Sequence, residues 1–252
     1  MSKKYYITTP IYYVNDKPHI GHAYTSIATD CIARFKRLEG FDVRFQTGTD
    51  EHGLKIQKAA ERNGVSPIEL CNQNSQIFRD LTKTLNLSNN DFIRTTEDRH
   101  IDGAKYLWDR LYDRGQIYLG EYEGWYSVSD ETFYNEKDLV KSEDGKFKTI
   151  TNGTVDWISE KSYFFKLSKW QEPLLKFYSE NPKFILPESR KNEVISFVKS
   201  GLKDLSVSRK SFSWGIKVPS NKDHVIYVWL CLLYTSDAAD EGLGVDLGGR
   251  RI

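Results

Sequence analysis

The first 115 residues switch repeatedly between two hydrophobic periods. Tyr5, Tyr6, Ile7, Ile11 and Tyr13 give the β-branched and aromatic signal of a buried strand, and Pro10 and Pro18 then punctuate the chain. From Ala23 the apolar positions take helical spacing through Ile27, Cys31, Phe35 and Leu38, which predicts a helix opening at Gly21 with Gly40 as its C-cap. A second strand is expected over 42–46, followed by the polar cluster Thr47 to Gly53. Leu54, Ala59 and Ala60 mark a helix stopped by Gly64, and Ser66-Pro67-Ile68-Glu69 has capping-box spacing with proline at the first helical position. Ile77, Phe78, Leu81 and Leu85 carry that helix on; a short strand over 92–94 and a helix over about 100–114, stopped by Gly115, follow. Alternating strands and helices predict an α/β fold, a parallel sheet with helices on its faces.

The pattern changes at Gln116. Up to about residue 158 the chain is rich in tyrosine, glycine and turn pairs such as Asp144-Gly145 and Asn152-Gly153, which predicts short antiparallel strands and hairpins. Two helices are expected over 171–180 and 188–200, separated by the turn at Asn181-Pro182, and the charged run Glu188 to Glu193 reads as a solvated helix face. The continuous apolar run 225–230 reads as a strand where the parallel sheet resumes. The expected organisation is therefore 1–115, an inserted α+β block over 116–224, and a returning strand at 225–230.

Composition narrows this picture only a little. The 252 residues suffice for a real core, and 39% hydrophobic with 28% charged residues is ordinary for a soluble globular protein. The net charge of +1 gives no electrostatic sign of a nucleic-acid partner, so an RNA would have to be met by a local basic face. Cys31, Cys71 and Cys231 have no paired spacing, which indicates neither a disulfide scaffold nor a cysteine zinc site. No signal-peptide core and no membrane-spanning run is present, so a cytoplasmic location without membrane partners is expected.

The candidate chemistry lies where the first strand meets the first helix. A helix N-terminus offers free backbone N–H groups and a positive dipole end, which suit a phosphate. His19 and His22 flank that terminus at a spacing where both imidazoles can donate to phosphate oxygens, and Gly21 lets a flat ring such as adenine approach the backbone. A bare His-x-Gly-His is weak by itself. Its place at the end of a first strand, with the cluster Thr47 to Gly53 at the end of the next, makes a shared crevice the expectation.

At these residues the chain resembles a known family. Pro10 to His22 is similar to the HIGH motif of class I aminoacyl-tRNA synthetases, and Thr47 to Gly53 (TGTDEHG) narrows the resemblance to the methionyl type. Tyr118 to Tyr126, Ser162 to Leu167, Arg190 to Val198, Gly201 to Arg209 and Val225 to Leu230 extend it over Lys3 to Leu230. The resemblance implies the first half of a Rossmann-like synthetase domain with an inserted connective-peptide block. It implies ATP as a substrate with Mg2+, methionine and tRNA(Met) as the other substrates, and no further protein partner. It assigns His19 and His22 to catalysis; Tyr12, Asn15, His19, Gly21 and His22 to ATP; and Ile11, Tyr13, Asp50 and Trp229 to methionine. Glu51 and His52 are weaker candidates, and Arg209 is expected to help dock the inserted block.

The departures matter too. Many relatives carry a Cys-x-x-Cys zinc knuckle after the Gly-Trp-Tyr, but this chain has Ser127-Val128-Ser129-Asp130, so no zinc is expected. The family's Lys-Met-Ser-Lys-Ser loop, which offsets pyrophosphate charge, is absent, and the chain alone is expected to be inactive. A leucine, isoleucine or valine synthetase, and a non-catalytic ATP- or tRNA-binding protein, remain alternatives. Residues 231–252 depart altogether: Cys231 to Glu241 and Val245 to Ile252 back-translate, in order and in one frame, to the two parts of a transposon-type sequencing adapter. They read as a library artefact.

Overall fold

In a computed structural model, residues 3–127, 132–134, 136–142, 145–150 and 153–231 are described. The adapter-like stretch from 232 onward and Val128 to Asp130 of the knuckle position lie outside the described residues, as do Asp144 and Asn152 of the two expected hairpin turns.

The chain divides into two units, 1–109 with 212–252 and 110–211, and it passes from one to the other within a single helix. The first unit is built on a parallel sheet. Its strands are β1 (Lys4–Thr8), β2 (Tyr12–Tyr13), β3 (Asp42–Asp50) and β4 (Asp91–Arg94). β3 is central: β1 pairs with its first half, β2 with its end and β4 with its other edge. Gly48 is required there, because a Cβ would lie 2.0 Å from the carbonyl oxygen of Ile93 on β4. β1 is half-buried rather than buried, since it pairs on one side only. β3 runs through Asp50, so Thr47 to Asp50 belong to the strand and not to a loop after it.

Between the strands lie α1 (Ile20–Leu38), α2 (Leu54–Asn63), α3 (Pro67–Thr84) and α4 (Asp98–Asp113). Gly64 closes α2 in the left-handed conformation, and the Ser66–Glu69 capping box opens α3 as its sequence spacing requires. Phe45, Ile56, Phe78 and Trp108 are among the sealed side chains, each contributing about 1.5–3 kcal/mol by burial.

α1 packs through small and polar residues. Its buried residues are Ser26, Thr29, Asp30 and Ala33, while Ile20, Tyr24, Ile27, Phe35 and Leu38 are exposed. Hydrogen bonding decides the rotation. Asp30 accepts from the Ser88 backbone N–H (2.7 Å) and from Arg34 (2.6 Å), and Arg37 donates to Ser88 O and Asn90 Oδ1. The small polar face is thereby tied to the loop before β4 and the apolar stripe is turned outward.

In the second unit β5 (Ile117–Ser127) lies between β6 (Thr132–Tyr134) and β9 (Val155–Phe165), and β7 (Val140–Lys141) and β8 (Phe147–Lys148) form a separate hairpin. β5 and β9 pair antiparallel along their full lengths. α5 (Gln171–Glu180) and α6 (Glu188–Lys199) follow, and β10 (Leu205–Ser206) pairs with β9 ahead of β11 (Ser208–Arg209). Glu188 to Glu193 form the exposed start of α6, with Lys191–Glu188 and Arg190–Glu193 ion pairs.

Two further expectations change. The second unit ends at Ser211, so 212–224 belong with the first unit, where the Trp214 indole is hydrogen-bonded to Glu51. The run 225–230 is not one returning strand. β12 (Lys217–Val218) turns at Pro219-Ser220 into β13 (Asn221–Ile226), an antiparallel hairpin, and Val228–Cys231 forms a short helix, α7. A continuous apolar run fits strand and helix alike, and periodicity could not separate them.

Candidate active site

His19 is the N-cap of α1, in extended conformation, and the two histidines cap the helix reciprocally. The Gly21 backbone N–H donates to His19 Nδ1 (3.1 Å), and the His19 backbone N–H donates to His22 Nδ1 (3.0 Å). Each Nδ1 therefore acts as an acceptor, which leaves the ring proton on Nε2. The rings lie 3.8 Å apart between centroids. Gly21 has a local reason beyond room for a ligand: a Cβ there would come within 2.9 Å of the folded-back His19 ring. The first turn of α1 holds no acidic residue, so nothing offsets the positive end of the helix dipole.

Tyr12 supports this helix start from beneath. It is buried, its hydroxyl lies 2.7 Å from Ser26 Oγ, and its ring packs against His22 and Phe78. Burial pushes its phenol above the ordinary range. Its hydroxyl serves the scaffold, whereas Asn15 is exposed on the loop leading to the helix.

The second cluster stands at the neighbouring strand end. Strand register sets Tyr13 beside Asp50, and the Tyr13 hydroxyl donates to the His52 carbonyl (2.9 Å). Asp50 is buried. The His52 ring lies 5.6 Å from that of Trp214, and its Nδ1 is sealed with no hydrogen-bond partner. Burial, and secondarily the nearby His100, push the His52 pKa down to about 3, so its ring is neutral near pH 7.

Sequence reasoning did not foresee how Glu51 is held. Its carboxylate is fully buried and accepts from Arg94 Nε (2.7 Å) and Nη2 (2.9 Å), Thr49 Oγ1 (2.7 Å) and Thr96 Oγ1 (2.5 Å). The two acids in TDEHG were visible; the arginine that answers the second, 43 residues on, carried no spacing signal. Ile11 is half-buried beside β2, and Trp229 is 37% exposed on α7. Arg209, within the second unit, is buried and donates to Ser208 O (2.7 Å) and Ser206 Oγ.

A parallel sheet whose strand ends carry an imidazole-capped helix start and a buried carboxylate has the layout of an α/β fold of the Rossmann-like class. Comparison with known proteins makes this specific. The model of the family "tRNA synthetases class I (M)" matches residues 5–143 and 138–235. The chain is 61% identical over 230 residues to the methionine–tRNA ligase of Rickettsia conorii and 55% identical over 226 residues to that of Rhizobium meliloti. These alignments cover 91% and 90% of this chain and 44% of each relative, so the chain spans less than half the length of the curated relatives it matches. Among solved structures, Mycobacterium tuberculosis methionyl-tRNA synthetase in complex with methionyl-adenylate superposes with a TM-score of 0.89 at 50% identity, covering 97% of this chain and 48% of that one. Its apo form gives 0.77 at 46% identity, covering 98% and 47%. The chain belongs to the methionyl family of class I tRNA synthetases. That family excludes the leucine, isoleucine and valine types left open by the sequence.

Proposed function

We propose that this chain is part of the catalytic domain of an enzyme that activates methionine with ATP, releases pyrophosphate and passes the methionyl group to tRNA(Met). The observation that carries the reading is the pairing of the capped His19–His22 helix start with the Tyr13–Asp50 strand ends.

In this reading the methionine carboxylate attacks the α-phosphate and negative charge grows on the phosphoryl oxygens. The Nε2–H groups of His19 and His22 and the N-terminus of α1 stabilise that charge without a covalent enzyme intermediate. Gly21 and Asn15 border the nucleotide, and Tyr12 acts on it only by holding the helix start. Asp50 pairs with the substrate ammonium, and Ile11, Tyr13 and Trp229 surround the thioether, for which an aromatic wall is suited.

Among the described residues no three His, Cys, Asp or Glu side chains gather as a metal site. Mg2+ is accordingly proposed to arrive on the ATP phosphates. The Ser127 to Asp130 position is proposed to hold no zinc, its hydroxyls and one carboxylate being poor replacements for thiolates; stoichiometric zinc in the purified protein would overturn this. No helix among the described residues is long and apolar enough to cross a membrane, and a cytoplasmic location is proposed.

The 252-residue chain has no Lys-Met-Ser-Lys-Ser loop and is expected to be inactive alone. Amplifying the source DNA across the codon for Leu230 tests the organisation. A frame continuing into Asp-Ala and later a Lys-Met-Ser-Lys-Ser loop is expected; a genome that encodes the present tail contradicts the artefact reading of 231–252.

A further inference from the structure

Every polar group of Glu51 is engaged. Two carboxylate oxygens receive four donors: Arg94 Nε and Thr49 on one, Arg94 Nη2 and Thr96 on the other. Its backbone N–H donates to Thr95 Oγ1 (2.9 Å), and its carbonyl accepts from the Trp214 indole (2.6 Å) and the Cys71 thiol (3.4 Å). Arg94 is itself fixed by Asn72 Oδ1 (2.8 Å), so the pair joins the ends of β3 and β4 to α3.

Such a pair is a poor device for stability alone, since desolvating two charges offsets most of their attraction. What a bidentate guanidinium fork does supply is orientation. This one fixes the residue immediately after Asp50 and immediately before His52, whose carbonyl holds the Tyr13 hydroxyl. Both groups that face the amino acid in the proposed reaction are thus one peptide away from the clamp, or one hydrogen bond beyond it.

We infer that Glu51, through its ion pair with Arg94, is a positioning residue that sets the place of Asp50 and Tyr13 for the amino-acid substrate, while leaving the nucleotide end of the site to α1. The inference rests on the proposed function. Misplacement of a substrate-holding group by about 1 Å can cost about 100-fold in rate or binding.

The test is steady-state ATP–pyrophosphate exchange by the protein of the complete reading frame, with methionine and ATP varied separately. Glu51→Gln keeps the size of the side chain but removes its charge, and Arg94→Lys keeps the charge but removes the fork. Each is expected to raise the KM for methionine at least tenfold, with the KM for ATP within twofold of wild type and kcat changed less than the methionine KM. A purely structural role predicts no such split. If Glu51→Gln does not fold, Arg94→Lys decides. A methionine KM unmoved in a folded variant, or an ATP KM moved as far as the methionine KM, overturns the inference. Wild-type protein without methionine-dependent exchange overturns the proposed function itself, and the inference with it.

Discussion

His19 and His22 each commit Nδ1 to the backbone, and in the proposed reaction Nε2 is the atom that meets the phosphate. This division makes His19→Asn informative: the amide oxygen can still accept the Gly21 N–H, but the Nε2–H donor is gone. In the complete enzyme the substitution is expected to lower kcat for exchange about 100- to 1000-fold, the range for loss of one charge-stabilising donor, with an unchanged unfolding midpoint. An unchanged kcat would remove His19 from the chemistry. His52 predicts a pH effect. The folded protein keeps it neutral down to about pH 3, whereas the unfolded chain protonates it below 6.5, so its contribution to stability is present above 6.5 and is lost as the pH falls from 6.5 toward 3. Asp91, held below its ordinary 3.8 by the Arg99 guanidinium, contributes only in the acid part of that range. The drop in urea midpoint between pH 7 and pH 5 is therefore expected to shrink in His52→Asn, and an equal drop would contradict the assignment. The His-x-x-His spacing and the run TGTDEHG were legible in the sequence. The folded-back His19 ring over Gly21 and the Glu51–Arg94 pair were not, because neither a rotamer nor a partner 43 residues away leaves a periodic trace.

Among the elements, α2, α3 and the α5–α6 pair were legible almost to the residue, because local chemistry terminates them: Gly64, the Ser66–Glu69 box and the turn at Asn181-Pro182. α1 was legible in its extent but not in the face it buries. Its apolar stripe is a sequence property, but which side turns inward is settled by Asp30 and Arg37 bonding to the loop at Ser88 to Asn90. The outward face, with Ile20 at 88%, Phe35 at 58% and Leu38 at 87% exposure, predicts that the 252-residue chain self-associates. Phe35→Lys is expected to shift it toward monomer in light scattering at the same concentration; a wild-type chain that stays monomeric would contradict this. The same limit explains the run at 225–230, where an unbroken apolar sequence hid the change from β13 to α7.

At the scale of the whole molecule, the division into an α/β unit and an α+β unit was legible from the change in composition at Gln116, while the boundary at its far end was displaced. Phe212 and Trp214 follow a loop with no composition shift, and only their packing against the first unit assigns them there. The sheet, the capped helix start and the Tyr13–Asp50 strand ends are the features on which the proposed amino-acid-activating site rests, in a chain covering 44% of the Rickettsia conorii ligase. The measurement that tests this most directly is ATP–pyrophosphate exchange by the complete reading frame, with methionine, leucine, isoleucine or valine offered singly. Exchange that depends on methionine and is negligible with the other three is the predicted result. Exchange supported equally by another of these amino acids, or by none of the four, would contradict the account.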